Sequence, residues 1–387
     1  MEEHHPYLHR ALALARSRRG YCAPNPAVGA VLVKEGVIIG EGAHYAWGEP
    51  HAEVMALRAL KSVAPGATLY VSLEPCCHTG RTPPCTQAVL AAGITRVIYG
   101  YQDPNPLVAG QGHRQLAESG VETLQLSLPE IDQFYNSYRH WRLTQRPWVS
   151  AKIALSLDGK IAGPGGERIS ITGAALKQHT YRCRQRSDAI LTTAKTVIQD
   201  NPALNVCLNH SLESTVFLGG SSKVTPNLEQ ESLYGSNTVQ SKRLYILDGQ
   251  LRLSGDYQIW KNTQPITVFY SAENSGKIPA ELLERGVIFV PVLARAGLLD
   301  LEIILQHIGK DGVHDLWVEA GGILLESLMA AGSVHNLQVY CAPKWLGSTA
   351  QSAFQETALS FEHFTHKQWH PVGDEAICEM TLALKDV

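Results

Sequence analysis

The sequence contains no stretch approaching the roughly 20 apolar residues that a membrane-crossing helix needs, and Met1 to Pro6 lack the basic region and apolar run of a secretory signal. No membrane partner is expected, and the expected location is the cytoplasm. An excess of one charge is also missing: 33 Lys plus Arg stand against 36 Asp plus Glu, a net charge of −3. With no long basic run either, the chain is not a general polyanion binder, and no nucleic-acid partner is expected. A small phosphorylated substrate needs only a few local cations and stays allowed. Cysteine is sparse, eight in 387 residues, yet Cys76, Cys77 and Cys85 fall within ten residues. In a reducing compartment that clustering points to a metal rather than to a disulfide framework.

What is present is the make-up of a globular protein, 44% hydrophobic and 18% charged, long enough for two domains with full cores. Leu8, Ala11, Leu12 and Ala15 follow helical spacing, which predicts a helix from about Pro6 to Arg19 closed by Gly20. Two β-branched runs, Val28 to Val33 and Val37 to Ile39, flank a hairpin turn. A helix over Ala52 to Leu60, a strand over Thr68 to Leu73, a helix over Pro83 to Ala92 and a strand over Arg96 to Gly100 follow. That order predicts a three-layer α/β domain. Periodicity lapses around Arg139 to Trp148, so the boundary is set there: residues 1–146 form one domain and 147–387 another. The second half again alternates strands and helices. Its strands are Val149 to Leu155, Ala189 to Thr193, Leu244 to Leu247, Ile266 to Tyr270, Val287 to Val290, Asp315 to Glu319 and Asn336 to Ala342. Its helices lie near Leu176 to Arg186, Leu301 to Gly309 and Ile323 to Ala331. Residues 209–242, rich in Ser, Asn and Gly, read as a surface insertion. No internal repeat is visible.

The chemistry concentrates in His51-Ala52-Glu53 and in the run Glu74-Pro75-Cys76-Cys77-His78-Thr79-Gly80-Arg81-Thr82-Pro83-Pro84-Cys85. One imidazole and two thiolates suit zinc, and three protein ligands leave a fourth position for water, as in catalytic sites. Zinc lowers the pKa of its water to about 7, and Glu53 is placed to carry a proton from that water to a leaving amine. Alone, His-Ala-Glu is an ordinary helix start and a Cys pair an ordinary pair of small hydrophobes. Together and in this order they match the zinc nucleobase deaminases, where the Glu is the acid and base and not a ligand. By that motif Cys76, directly after Pro75, is the ligand and Cys77 a core neighbour.

The nine-residue step from Cys76 to Cys85 narrows the match. With Pro24-Asn25-Pro26-Ala27-Val28-Gly29, Gly40-Glu41-Gly42-Ala43-His44, Gly80-Arg81-Thr82-Pro83-Pro84-Cys85 and Gln102-Asp103-Pro104-Asn105-Pro106, the first half resembles the riboflavin-pathway pyrimidine deaminase–reductase family. The resemblance implies a cytidine-deaminase-like three-layer α/β/α domain. It would remove the 2-amino group of 2,5-diamino-6-ribosylamino-pyrimidinone 5′-phosphate, a phosphorylated pyrimidine, and release ammonia. His51, Cys76 and Cys85 would hold Zn2+ and Glu53 would be catalytic. Asn25 would bond the pyrimidine or its sugar, while His44, His78, Arg81 and Thr82 would line the ribose-phosphate side. A Gly-containing loop at a helix start, with Arg and Thr, suits a phosphate on chemical grounds as well.

Ala151-Lys152-Ile153-Ala154-Leu155-Ser156-Leu157-Asp158-Gly159-Lys160, Asp200-Asn201-Pro202-Ala203-Leu204 and Val318-Glu319-Ala320-Gly321-Gly322 resemble the same family's dihydrofolate-reductase-like α/β domain, which reduces the ribosyl group to ribityl with NADPH. The resemblance places Lys152, Arg184, Leu204 and Glu319 at the substrate, and Ala154, Thr196, Asp200, Gly321 and Gly322 at the cofactor. A homo-oligomer is expected. Three positions depart from the family pattern: Arg168 stands for a serine, Ser170 for a tryptophan and Cys207 for an arginine. Loss of an aromatic wall and a phosphate-binding cation predicts weaker binding there, and an active deaminase joined to a weakened or silent reductase is the alternative. Two other readings compete. A nucleic-acid deaminase, such as one acting on tRNA adenosine, would show a short Cys spacing and a basic face. A non-catalytic zinc module would close the metal with a fourth protein ligand such as His78 or Cys77.

Overall fold

In the computed structural model, which describes residues 2–60, 64–207, 241–295, 297–354 and 360–382, the backbone divides into two compact units. One comprises Met1–Trp148 with Leu305–Asp315, the other Val149–Ile304 with Leu316–Val387. Among the described residues no helix is long and apolar enough to cross a membrane.

The first unit is built on α1 (His5–Arg18), β1 (Gly29–Lys34), β2 (Val37–Ala43), α2 (Ala52–Arg58), β3 (Thr68–Leu73), α3 (Cys85–Ala91), β4 (Arg96–Tyr101), α4 (Gln111–Glu118), β5 (Glu122–Gln125) and α5 (Pro129–Thr144). Its five strands are ordered β2-β1-β3-β4-β5, antiparallel around β1 and parallel from β3 to β5. Alternation along β1 makes the layers. Val31 and Val33 pack with Leu8 and Leu12 of α1 and with Ile131, Tyr135 and Trp141 of α5. Ala30 and Leu32 pack on the opposite side with Ala52 and Ala56 of α2, Val89 of α3 and Leu116 of α4. Two buried faces on one sheet are the three layers expected from the sequence. Gly42 matters here: a Cβ on it would lie 2.3 Å from the Ala52 carbonyl, so only glycine lets the first turn of α2 lie against β2.

The lapse expected around Arg139 to Trp148 is corrected. α5 runs unbroken to Thr144 and ends where Gln145 takes a left-handed conformation, φ 56°. α4 and β5 were not anticipated either.

The second unit adds β6 (Trp148–Ser156), β7 (Lys160–Pro164), α6 (Ala174–Arg186), β8 (Ala189–Thr193), α7 (Ala194–Asp200), β9 (Arg243–Leu247), β10 (Ile266–Ser271), α8 (Ala280–Glu284) and β11 (Ile288–Val292). Then come β12 (Ala294–Arg295), β13 (Leu298–Leu299), α9 (Leu301–Lys310, which from Leu305 on belongs to the first unit), β14 (Asp315–Glu319), α10 (Gly322–Ala330), β15 (Asn336–Ala342), β16 (Ala350–Ser352), β17 (His366–Val372) and β18 (Glu375–Thr381). A nine-stranded sheet runs β11-β10-β9-β8-β14-β6-β15-β18-β17, with β17 and β18 antiparallel at one edge. The expected strands and helices of this half are present with ends shifted by a few residues at most. β7, α7, α8, β12, β13, β16 and the β17–β18 hairpin are additions. The insertion expected at 209–242 lies almost wholly outside the described residues.

Candidate functional site

His51 stands immediately before α2 with extended backbone (φ −69°, ψ 165°), and Glu53 is buried in the helix's first turn. Cys76 follows β3, and Cys85, fully buried, opens α3. His51 Nδ1 lies 3.2 Å from Cys85 Sγ and 3.5 Å from Cys76 Sγ. Among the described residues this is the one group of three or more metal-ligating side chains whose ligand atoms all fall within 4.8 Å of one another. The other imidazole nitrogen, Nε2, lies 3.3 Å from Thr82 Oγ1, so a hydroxyl fixes the ring while Nδ1 faces the sulfurs. The Cys85 N–H donates to Cys76 Sγ at 3.4 Å.

The two sulfurs share a proton. Cys76 is drawn down to about 4 by the hydrogen bond from Cys85 and by His51. Cys85 is pushed up by that same bond and by burial. A divalent cation removes the need for the shared proton, and an imidazole with two thiolates is a donor set that fits zinc with one position open. Glu53 is pushed up to about 7, first by burial and then by the Cys76 charge. A carboxyl buried next to the ligand cluster and facing the cavity is placed to take up and release a proton.

His51, Glu53 and Cys76 line a cavity of about 170 Å³, which also receives Asn25, His44, His78, Arg81 and Thr82, while Cys85 is buried behind them. His44 is buried, and its Nδ1–H donates to the Pro50 carbonyl at 3.1 Å, which leaves Nε2 to accept from the Asn25 amide, also at 3.1 Å. Burial lowers the His44 pKa, consistent with this neutral tautomer. His78 and Arg81 are exposed at the cavity. Cys77 is not the core neighbour expected: it is half-buried, with Sγ 3.8 Å from the Leu107 carbonyl. It lies past the end of β3, in the loop that leads to α3, and belongs to neither core cluster of this unit.

Sequence reasoning assigned no role to Trp47, Asp103, Asn105 and Tyr138, which line the same cavity. Asp103 is buried, accepts the Asn105 N–H at 2.8 Å and the Tyr138 hydroxyl at 3.4 Å, and is pushed up to about 6, chiefly by burial. The run Gln102 to Pro106 was the available signal for Asp103 and Asn105. Tyr138 had none.

In the second unit Arg184 on α6 meets Glu319 at the end of β14 in a two-pronged pair, Nε to Oε1 at 2.6 Å and Nη2 to Oε2 at 2.9 Å. Trp317 Nε1 donates to Glu319 Oε1 at 2.8 Å. Lys152, on β6, sits 5.2 Å from the Tyr340 ring centroid, and burial lowers its pKa against the charges of Glu319 and Asp200. Ala154 is half-buried on the same strand. Thr196 lies in the first turn of α7, its N–H donating to Thr193 Oγ1 at 3.3 Å. Leu204 has φ 47° and its side chain is buried in the core of this unit with Ile190, Val197 and Leu253. A Cβ on Gly321 would meet nothing nearer than Ile161 at 4.0 Å, an open approach to bare backbone that suits a dinucleotide. A Cβ on Gly322 would lie 1.5 Å from the Ala353 carbonyl, so that glycine is required by packing. Of the departures, Arg168 reaches to 3.9 Å from Asp200, while Ser170 is exposed and Cys207 half-buried.

The comparisons with known proteins bear on both units. Residues 1–101 match the family model for the cytidine and deoxycytidylate deaminase zinc-binding region, and residues 147–378 that for the RibD C-terminal domain. The chain is 38% identical to the riboflavin biosynthesis protein RibD of Escherichia coli over 89% of each chain. Its structure is similar to Acinetobacter baumannii RibD, with a TM-score of 0.79 at 30% identity over 99% of both chains. It is also similar to a diaminohydroxyphosphoribosylaminopyrimidine deaminase/5-amino-6-(5-phosphoribosylamino)uracil reductase from Thermotoga maritima, with a TM-score of 0.80 at 27% identity over 99% of both chains.

Proposed function

Because the chain belongs to the RibD family of riboflavin biosynthesis, we propose that its two activities are carried by the residues assembled above. It is a bifunctional enzyme, a zinc-dependent pyrimidine deaminase and an NADPH-dependent reductase, and a silent second half is not favoured. In our reading residues 1–146 form the deaminase domain and 147–387 the reductase domain. The observation that carries the deaminase assignment is the convergence of His51, Cys76 and Cys85 within 4.8 Å, next to a cavity lined by His51, Cys76 and buried Glu53.

His51 Nδ1 and the two sulfurs would hold the metal, with Thr82 fixing the imidazole. When bound, zinc would supply a Lewis acid that lowers the pKa of water to about 7. The Glu53 carboxylate accepts a proton from water and returns it to the leaving 2-amino group, so that ammonia departs neutral. Asn25 and His44 orient the pyrimidine and its sugar, and His78, Arg81 and Thr82 face the phosphate. In the second unit Glu319 takes the Nε and Nη2 donors of Arg184 and the Asn205 carbonyl takes Nη1, which fixes the guanidinium as a buried cation beside the substrate, with Lys152 near it. Thr196, Asp200, Ala154 and the bare backbone of Gly321 serve the cofactor. When bound, NADPH supplies the hydride that converts ribosyl to ribityl. This reading needs no nucleic acid and no membrane, places the enzyme in the cytoplasm, and includes a homo-oligomer.

Metal analysis paired with ammonia release tests it. Glu53→Gln should keep zinc and lose deamination by about 10² to 10⁴ in rate, whereas Cys85→Ser should lose both zinc and activity. Ammonia release by Glu53→Gln within about threefold of wild type, or zinc lost in Cys77→Ser but kept in Cys76→Ser, would overturn the assignment.

A further inference from the structure

Trp47 lies in the segment between β2 and α2, is 50% exposed and belongs to no core cluster, yet it lines the deaminase cavity. The Arg81 guanidinium sits over its ring, 3.7 Å from the centroid. Among the described residues no carboxylate pairs with Arg81. Arg81 is on the loop between β3 and α3, exposed, and would otherwise sweep a wide arc of solvent. Glu49, Glu53, Glu74 and Asp103 line the same cavity, so a held position also keeps the guanidinium from turning to a carboxylate.

A planar guanidinium stacks on an aromatic face without using its N–H donors, whose fork stays free in the plane of the group. We propose that Trp47 is a positioning residue that sets substrate specificity: its indole holds Arg81 at the cavity mouth with donors aimed at the phosphate of the phosphorylated pyrimidine. The inference rests on the deaminase reading above and adds to it why that mouth prefers a phosphorylated ligand. Holding the side chain before the ligand arrives removes part of the entropy lost on binding, so the effect belongs in substrate binding and not in the chemical step.

The test uses the full-length, zinc-loaded chain and follows ammonia release from the diaminopyrimidine ribosyl phosphate and from the same riboside without phosphate. Trp47→Ala should raise KM for the phosphorylated substrate about 3- to 10-fold, leave kcat within about twofold, and leave KM for the riboside unchanged. Trp47→Phe, which keeps an aromatic face, should restore most of the loss, and Trp47→Leu should not. This Phe and Leu pair decides the matter even if Trp47→Ala folds poorly. An unchanged KM in Trp47→Ala overturns the proposal. So does an equal rise for both substrates, which would place the indole on the base or sugar, or a Leu variant as good as Phe. If wild type releases no ammonia from either substrate, the deaminase reading itself fails and this inference with it.

Discussion

Glu319 is ionised inside a nearly buried pair, its side chain 13% exposed and that of Arg184 11%. Burial alone would push its carboxyl up, but Arg184, through charge and two hydrogen bonds, holds it down to about 2 against a usual 4.5. A depressed carboxylate stabilises the fold above its unfolded value and stops doing so as pH falls through its folded value. The pair's contribution is therefore complete above about pH 4.5 and lost toward pH 2. Glu319→Gln leaves the Arg184 charge buried without its partner, which should destabilise the second unit by about 3 to 5 kcal/mol at pH 7. Urea unfolding at pH 7 measures it, and a parallel acid titration should show a shallower loss in the variant; equal stability of the two proteins would refute it. At this scale the zinc site was legible because its ligands sit in two short runs with fixed chemistry, His51 to Glu53 and Glu74 to Cys85. Tyr138 was not. It reaches Asp103 across 35 residues of sequence, and an aromatic on a helix reads as core unless the fold is known.

Elements were legible where apolar residues follow one period and where glycine or proline closes them. α5 escaped that test because charged and polar residues interrupt its aromatic stripe, Phe134, Tyr135, Tyr138 and Trp141, and because it ends on Gln145 rather than on a glycine. β17 escaped because it is an exposed edge, His366–Val372, with little apolar alternation to read. The turn from β14 into α10 was read as two equivalent glycines, and the structure separates them. Gly322→Ala forces a Cβ to 1.5 Å from the Ala353 carbonyl and must shift backbone, which should cost about 1 to 3 kcal/mol or more. Gly321→Ala meets only Ile161 at 4.0 Å. It should leave thermal stability nearly unchanged and raise KM for NADPH at least about fivefold, roughly 1 kcal/mol. Equal thermal shifts in the two variants would remove the distinction, and an unchanged KM in Gly321→Ala would remove that backbone from the cofactor site.

The whole molecule joins two compact units, with the His51, Cys76 and Cys85 cluster in the first and Lys152, Arg184 and Glu319 in the second. The chemistry assigned to them is ordered. Deamination needs water and zinc and no redox partner, whereas reduction needs NADPH and follows it on the same phosphorylated compound. Charge and composition only bounded this outcome; the identity of the reactions came from motifs whose side chains the fold then gathered. The most direct measurement is product mass and ammonia from the purified, zinc-loaded chain given the diaminopyrimidine ribosyl phosphate, with and without NADPH. Without NADPH, ammonia should appear in step with a product in which one amino group has become oxo. Adding NADPH should leave that ammonia yield unchanged and convert the product to its ribityl form, with NADPH consumed in equal amount. No ammonia without NADPH, or reduction of the substrate before it has lost its amino group, would contradict the account.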